Sequence, residues 1–217
     1  MTNENSGKQS YGKLSYGKYI IIDGISGSGK ETQARLLGEW LTQRGYEVHR
    51  IFEPSDGRVK KSIKQLQTIG VDNTYIDAAL FVLDRSYLVH REIVPSLKMG
   101  KIVLSVRGFT STLAIESDEE LTQEYLIAAN SFVPVADAIC ILDLPAELAY
   151  SRVQGRDAGT WHGEKGKWEV NLEKMRTMRE KYLQLKNLLQ NVEIIDAGKE
   201  IGEVQMELRR KVVHKIE

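Results

Sequence analysis

Residues 22–33 read IDGISGSGKETQ. Glycines at 24, 27 and 29 followed by Lys30 have the spacing of a loop whose successive backbone N–H groups surround an anion, with the lysine adding a point charge for the outer phosphates. Position 31 is the irregularity. Such loops usually place a Ser or Thr hydroxyl there for magnesium, and this chain has Glu31. A carboxylate on the phosphate side would repel a nucleotide, so Glu31 is expected to point outward, where the positive end of a helix favours acid. Thr32 is then the next available hydroxyl.

Phe81 and Arg85 are four residues apart. On a helix they share a face, where a ring can stack on a base while a guanidinium bonds its edge; core packing and a surface ion pair account for the same spacing. Arg152 and Arg156 are also four apart and precede a loop. Each alone reads as a solvated helix charge. Glu53, before Pro54, reads by itself as a capping acid. No residue cluster has the spacing of a zinc site, and His90 and His162 read as structural.

These residues need elements to hold them. Residues 19–22 read as a strand that runs into the glycine loop and then into a helix burying Ala34, Leu37 and Leu41. Further strands are expected at 47–52, 101–106, 138–144 and 192–196, the first two of these separated by two helices. One helix carries Val59, Ile63 and Leu66, capped by Ser55 or Asp56 and ended by Gly70. The other spans about 74–90 and is apolar at Ile76, Leu80, Leu83 and Tyr87. Ser117 to Glu120 form a capping box that opens a helix toward Phe132, and Pro145 suits the first turn of the helix after the fourth strand. A long helix runs to Leu189, and the last one carries Ile201, Val204, Leu208 and Val212. The alternation predicts an α/β fold of three layers, α/β/α, around a five-stranded parallel sheet. Residues 1–17 form a polar tail, 18–217 one folded domain, and 157–168 an exposed loop.

A chain of 217 residues with 30 basic and 30 acidic side chains has no net field to gather a nucleic acid polymer or an anionic membrane. No apolar run approaches the roughly 18 residues of a membrane span. The single Cys140 lies inside the apolar run AICILDL, which suits a reducing compartment and a cytoplasmic protein.

With these segments in place, GSGKETQ resembles the loop of nucleoside-monophosphate kinases, and the ordered set narrows the resemblance to thymidylate kinases. EPSDGRVKKSIKQL (53–66), ALFVLDRSYLVHREIVPSLKMGKIVLSVRGFTSTLAI (79–115), ILDLPAELAYSRVQGR (141–156), EVNLEKMRTMREKYLQL (169–185) and IIDAG (194–198) are similar to successive segments of that family. The resemblance implies a P-loop fold with a short Arg-bearing lid over about 152–168, and transfer of a phosphoryl group from ATP, with Mg²⁺, to dTMP. It implies that Gly24, Ile25, Ser26, Gly27, Ser28, Gly29, Lys30, Glu31 and Thr32 hold ATP, and that Lys30, Arg107, Arg152 and Arg156 act on the transferring phosphates. It places Glu53, Phe81, Arg85, Arg107, Ser111 and Thr112 on the acceptor, with Thr32 and Glu53 near the metal, and it implies a homodimer.

The chain departs from that pattern. The family's Asp-Arg-Tyr is Val106-Arg107-Gly108 here, its loop acid is Ser26, Phe52 replaces an arginine, and Ile115 takes the place of a tyrosine near the sugar. Glu53, Asp23 or water could take over the metal, since magnesium keeps several waters and needs few protein ligands. The alternatives are a kinase for another small acceptor and a nucleotide-binding protein with little or no turnover.

Overall fold

The computed structural model describes residues 17–55, 58–71, 73–155 and 171–216. Five strands, β1 (Lys18–Asp23), β2 (Val48–Phe52), β3 (Ile102–Val106), β4 (Ala138–Asp143) and β5 (Val192–Asp196), form one sheet in the order β2-β3-β1-β4-β5. Every pairing is parallel. The three central strands are apolar and buried almost throughout, as a sheet covered on both faces requires.

Helix α1 (Lys30–Gln43) leads from β1 to β2 in one direction across the sheet, whereas each later connection between strands runs the other way. Right-handed crossovers therefore put α1 on one face and the intervening helices on the opposite one. Helix α9 (Ile201–Ile216) returns to pack beside α1. The opposite layer holds α3 (Thr74–Leu88), α4 (Val94–Lys98), α5 (Phe109–Ile115), α7 (Ala146–Gln154) and α8 (Leu172–Leu188). There α2 (Arg58–Thr68) rests on α3, and α6 (Gln123–Ala129) on α5. The expected three layers and five parallel strands are thus present. No helix among the described residues is long and apolar enough to cross a membrane.

Local expectations fare less evenly. Helix α3 starts where Asn73 caps it, its side chain accepting the Ile76 N–H at 3.2 Å, and it passes into a π turn over Val89–Ile93 before α4. The apolar stripe of this helix is not its buried face, although Leu80 is half-buried. Ile76, Leu83 and Tyr87 are exposed, and α3 buries Asp77, Ala78, Arg85 and Leu88, because the inward face is set by a polar network around Arg85. The capping box is also replaced by a turn: Ser117 Oγ donates back to the Leu113 carbonyl at 2.6 Å, and Asp118 accepts the N–H groups of Glu120 and Leu121 at 3.0 and 2.7 Å. Thr122 then caps α6. Pro145 precedes α7 as its cap residue, and Ile201 faces solvent while Val204, Leu208 and Val212 are buried. Residues 1–16, Asp56, Arg156, His162 and the loop 157–168 lie outside the described residues.

Candidate active site

The glycine loop leaves β1 at its carboxyl end, where open parallel sheets bind ligands. Gly24, Gly27 and Gly29 have φ of 145°, 87° and 88°, a region that side-chain-bearing residues enter only with strain. At two of them space demands glycine as well. A Cβ on Gly24 would lie 2.6 Å from the Leu142 carbonyl oxygen, and one on Gly27 would lie 2.6 Å from that of Ala149. Gly29 is the cap of α1 and has no side chain to close off its amide end, the end that attracts anions. Lys30 is buried and folds back so that Nζ donates to the Ile25 carbonyl at 3.2 Å. The Ser28 hydroxyl is buried in the loop with no hydrogen-bond partner. Ser26 and Glu31 are half-buried and Thr32 is exposed. Arg152, in the last turn of α7, donates to the Gly27 carbonyl at 3.2 Å.

Register puts the next group beside this loop. Ile22 of β1 lies opposite Val106 of β3, so Asp23 and Arg107 emerge together at the strand ends. Arg107 has φ 69° and bonds its N–H to the Ile22 carbonyl at 2.9 Å. A left-handed backbone at an arginine costs about 1–2 kcal/mol, and such strain collects at functional sites. Asp23 is wholly buried. It accepts from the Gly24 N–H at 2.8 Å, Thr110 Oγ1 at 2.6 Å, Ser111 Oγ at 2.8 Å and the Tyr182 hydroxyl at 3.0 Å. Burial pushes the Tyr182 hydroxyl well above the ordinary phenol range, so it stays a donor at neutral pH. One turn earlier on α8, Arg179 clasps Asp143 at 2.6 and 2.9 Å. Two consecutive turns of α8 thus hold the ends of β1 and β4.

A second network lies under α3. Arg85, only 2% exposed, donates through Nε to Glu53 Oε2 at 2.7 Å and through Nη1 to Asn130 Oδ1 at 2.6 Å. Its Nη2 donates to the Gly108 carbonyl at 3.2 Å and to Thr112 Oγ1 at 3.0 Å. Glu53 reaches this place because its N–H continues the β2–β3 pairing to the Val106 carbonyl at 3.1 Å. The next residues are tied to α3 as Ser55 donates its N–H and hydroxyl to Asp84 at 2.8 and 2.5 Å. Burial pushes the Glu53 carboxyl up, against the pull of the Arg85 guanidinium. Phe81 is half-buried one turn before Arg85.

The structure therefore joins Glu53, Arg85 and Thr112 in one network, and it joins Lys30 and Arg152 to the loop. Ser111 goes to Asp23 instead, and Val106 is buried core rather than a strand-end acid. Asn130, Thr110 and Tyr182 escaped sequence reasoning. Asn130 at a helix end resembles an ordinary cap, and Tyr182 recurs with Met175, Met178 and Leu185 at helical spacing, which reads as packing.

Among the described residues no group of three or more His, Cys, Asp or Glu side chains is placed to hold a metal ion. Asp23 has committed both oxygens, whereas Glu53 Oε1 is buried without a partner. This donor set fits magnesium, which takes one or two carboxylates together with substrate phosphates and water, and does not fit a metal that needs an all-protein cage.

A sequence model of the family described as thymidylate kinase matches residues 22–208. A probable thymidylate kinase of Thermococcus onnurineus is 36% identical over 91% of this chain and 98% of its own length. One from Pyrococcus horikoshii is 34% identical over 92% and 98%, and a thymidylate kinase of Desulfotalea psychrophila is 35% identical over 63% and 68%.

Proposed function

The chain belongs to the thymidylate kinase family of ATP-using phosphotransferases, and from that membership we propose how its residues phosphorylate dTMP to dTDP. The observation that supports this reading best is the loop itself. Its glycines adopt positive φ against neighbouring backbone, with Lys30 and the unpartnered Ser28 hydroxyl buried inside it. Phosphoryl transfer needs positioning and charge neutralisation rather than a covalent intermediate, and a ring of amides plus one lysine supplies both to the donor.

In this reading residues 24–32 hold ATP, and Arg107 aligns the acceptor phosphate from a backbone already fixed between β1 and β3. Arg152 and, on sequence alone, Arg156 neutralise charge on the transferring group. Mg²⁺ would offset the charge of the donor phosphates, with Glu53 and Thr32 as the protein oxygens assigned to it. Phe81 stacks on the base. Arg85 has five N–H groups, of which four meet Glu53, Asn130, the Gly108 carbonyl and Thr112, which leaves one on Nη1 for a base carbonyl. Ser111 and Thr112 act from behind, one on Asp23 and the other on Arg85. Residues 18–217 are assigned to this one kinase domain, with 152–168 as its lid. The solvent-facing Tyr75, Ile76, Leu83 and Tyr87 of α3 support a homodimer.

An ADP-release assay with dTMP, dUMP, dCMP and dAMP tests the function. Turnover favouring dTMP is the expected result. Turnover only with another acceptor, or ATP binding without turnover, overturns it.

A further inference from the structure

We propose that Asn130 is a positioning residue for the acceptor base, acting by occupying one Nη1 hydrogen of the Arg85 guanidinium and so setting which N–H is left open. This rests on the reading that Arg85 faces the base. Asn130 is 4% exposed and closes α6, where its own N–H bonds the Leu126 carbonyl at 3.1 Å. The amide has its two ends distinguished by chemistry. Nδ2 donates to the Leu126 carbonyl at 2.7 Å while Oδ1 accepts from the Arg85 cation at 2.6 Å. An amide turned the other way would set oxygen against oxygen and a donor against a donor, so the orientation is locked.

Geometry then makes Asn130 the deciding partner. Nε is taken by Glu53, and both hydrogens of Nη2 are taken by the Gly108 carbonyl and Thr112. Nη1 alone retains a hydrogen for a ligand, and Asn130 determines which of its two that is. The anchor comes from α6, separate from α3 that carries Arg85, so the guanidinium is gripped from outside its own helix. Charge explains why the residue is an amide. Glu53 already neutralises Arg85, and a second carboxylate would leave excess negative charge in a buried network, where unpaired charge is expensive. A hydrogen held in one place meets a carbonyl oxygen at the base edge and rejects an amino group, so Asn130 contributes to discrimination of thymine from cytosine.

The test is steady-state kinetics of Asn130→Ala, Arg85→Ala and the double variant, with dTMP and dCMP as acceptors. Asn130→Ala is expected to raise KM for dTMP about tenfold, the size of losing a hydrogen bond to a charged group, and to lower the dTMP to dCMP ratio of kcat/KM. KM for ATP should stay within about twofold, and in the Arg85→Ala background the second change should add less than about twofold, since the pair is coupled. A residue that merely caps α6 would shift both KM values together and add the same loss in either background, which overturns the proposal. If Arg85→Ala alone leaves KM for dTMP unchanged, the base-binding reading fails first and the proposal with it. Should Asn130→Ala not fold, Asn130→Ser is read by the same criteria, because its hydroxyl can still meet the Leu126 carbonyl but is too short for Arg85.

Discussion

Replacing Gly27 and Gly29 by alanine, one at a time, separates two reasons for glycine in the loop. Both residues have nearly the same φ, 87° and 88°, so both variants incur the left-handed penalty of about 1–2 kcal/mol. Their surroundings differ. A Cβ on Gly29 meets nothing within 4 Å, whereas one on Gly27 lies 2.6 Å from the Ala149 oxygen and 3.1 Å from its Cα. The obstructing atoms are backbone of α7 and cannot rotate away. Restoring an ordinary 3.4 Å contact from 2.6 Å requires α7 to retreat by about 0.8 Å, an overpacking strain of about 1–3 kcal/mol. Gly27→Ala should therefore lose about 2–5 kcal/mol in total, and Gly29→Ala about 1–2 kcal/mol. At about 2–4 °C per kcal/mol for a chain of this size, nucleotide-free thermal unfolding should place Gly27→Ala below Gly29→Ala by several degrees. Equal melting temperatures would refute the reasoning, because they would mean that α7 does not abut the loop backbone.

Tyr182→Phe removes one donor from the buried Asp23 carboxylate without changing shape, and urea unfolding should show a loss of about 1.5–3 kcal/mol; a change under about 0.5 kcal/mol would show that the hydroxyl is not needed there. Phe81→Ala should raise KM for dTMP about tenfold through lost stacking while sparing KM for ATP, and equal loss of both would make Phe81 a packing residue only.

Composition and spacing alone carried the architecture. Short apolar runs separated by amphipathic segments admit few solutions besides a covered parallel sheet, and Gly24, Gly27 and Gly29 before Lys30 announce a loop shaped by its own backbone. Such features are local, so a linear reading reaches them. Tertiary structure decided the rest. The periodicity of α3 marked Ile76, Leu83 and Tyr87, yet the helix turned Arg85 inward, because a guanidinium satisfied by Glu53, Asn130, Thr112 and the Gly108 carbonyl is stable where an unpaired one is not. Those partners are separated from Arg85 by 23 to 45 residues, and Tyr182 lies 159 residues from Asp23. Residue type states that a buried polar group must find a partner, but only the packed fold determines which one comes within reach.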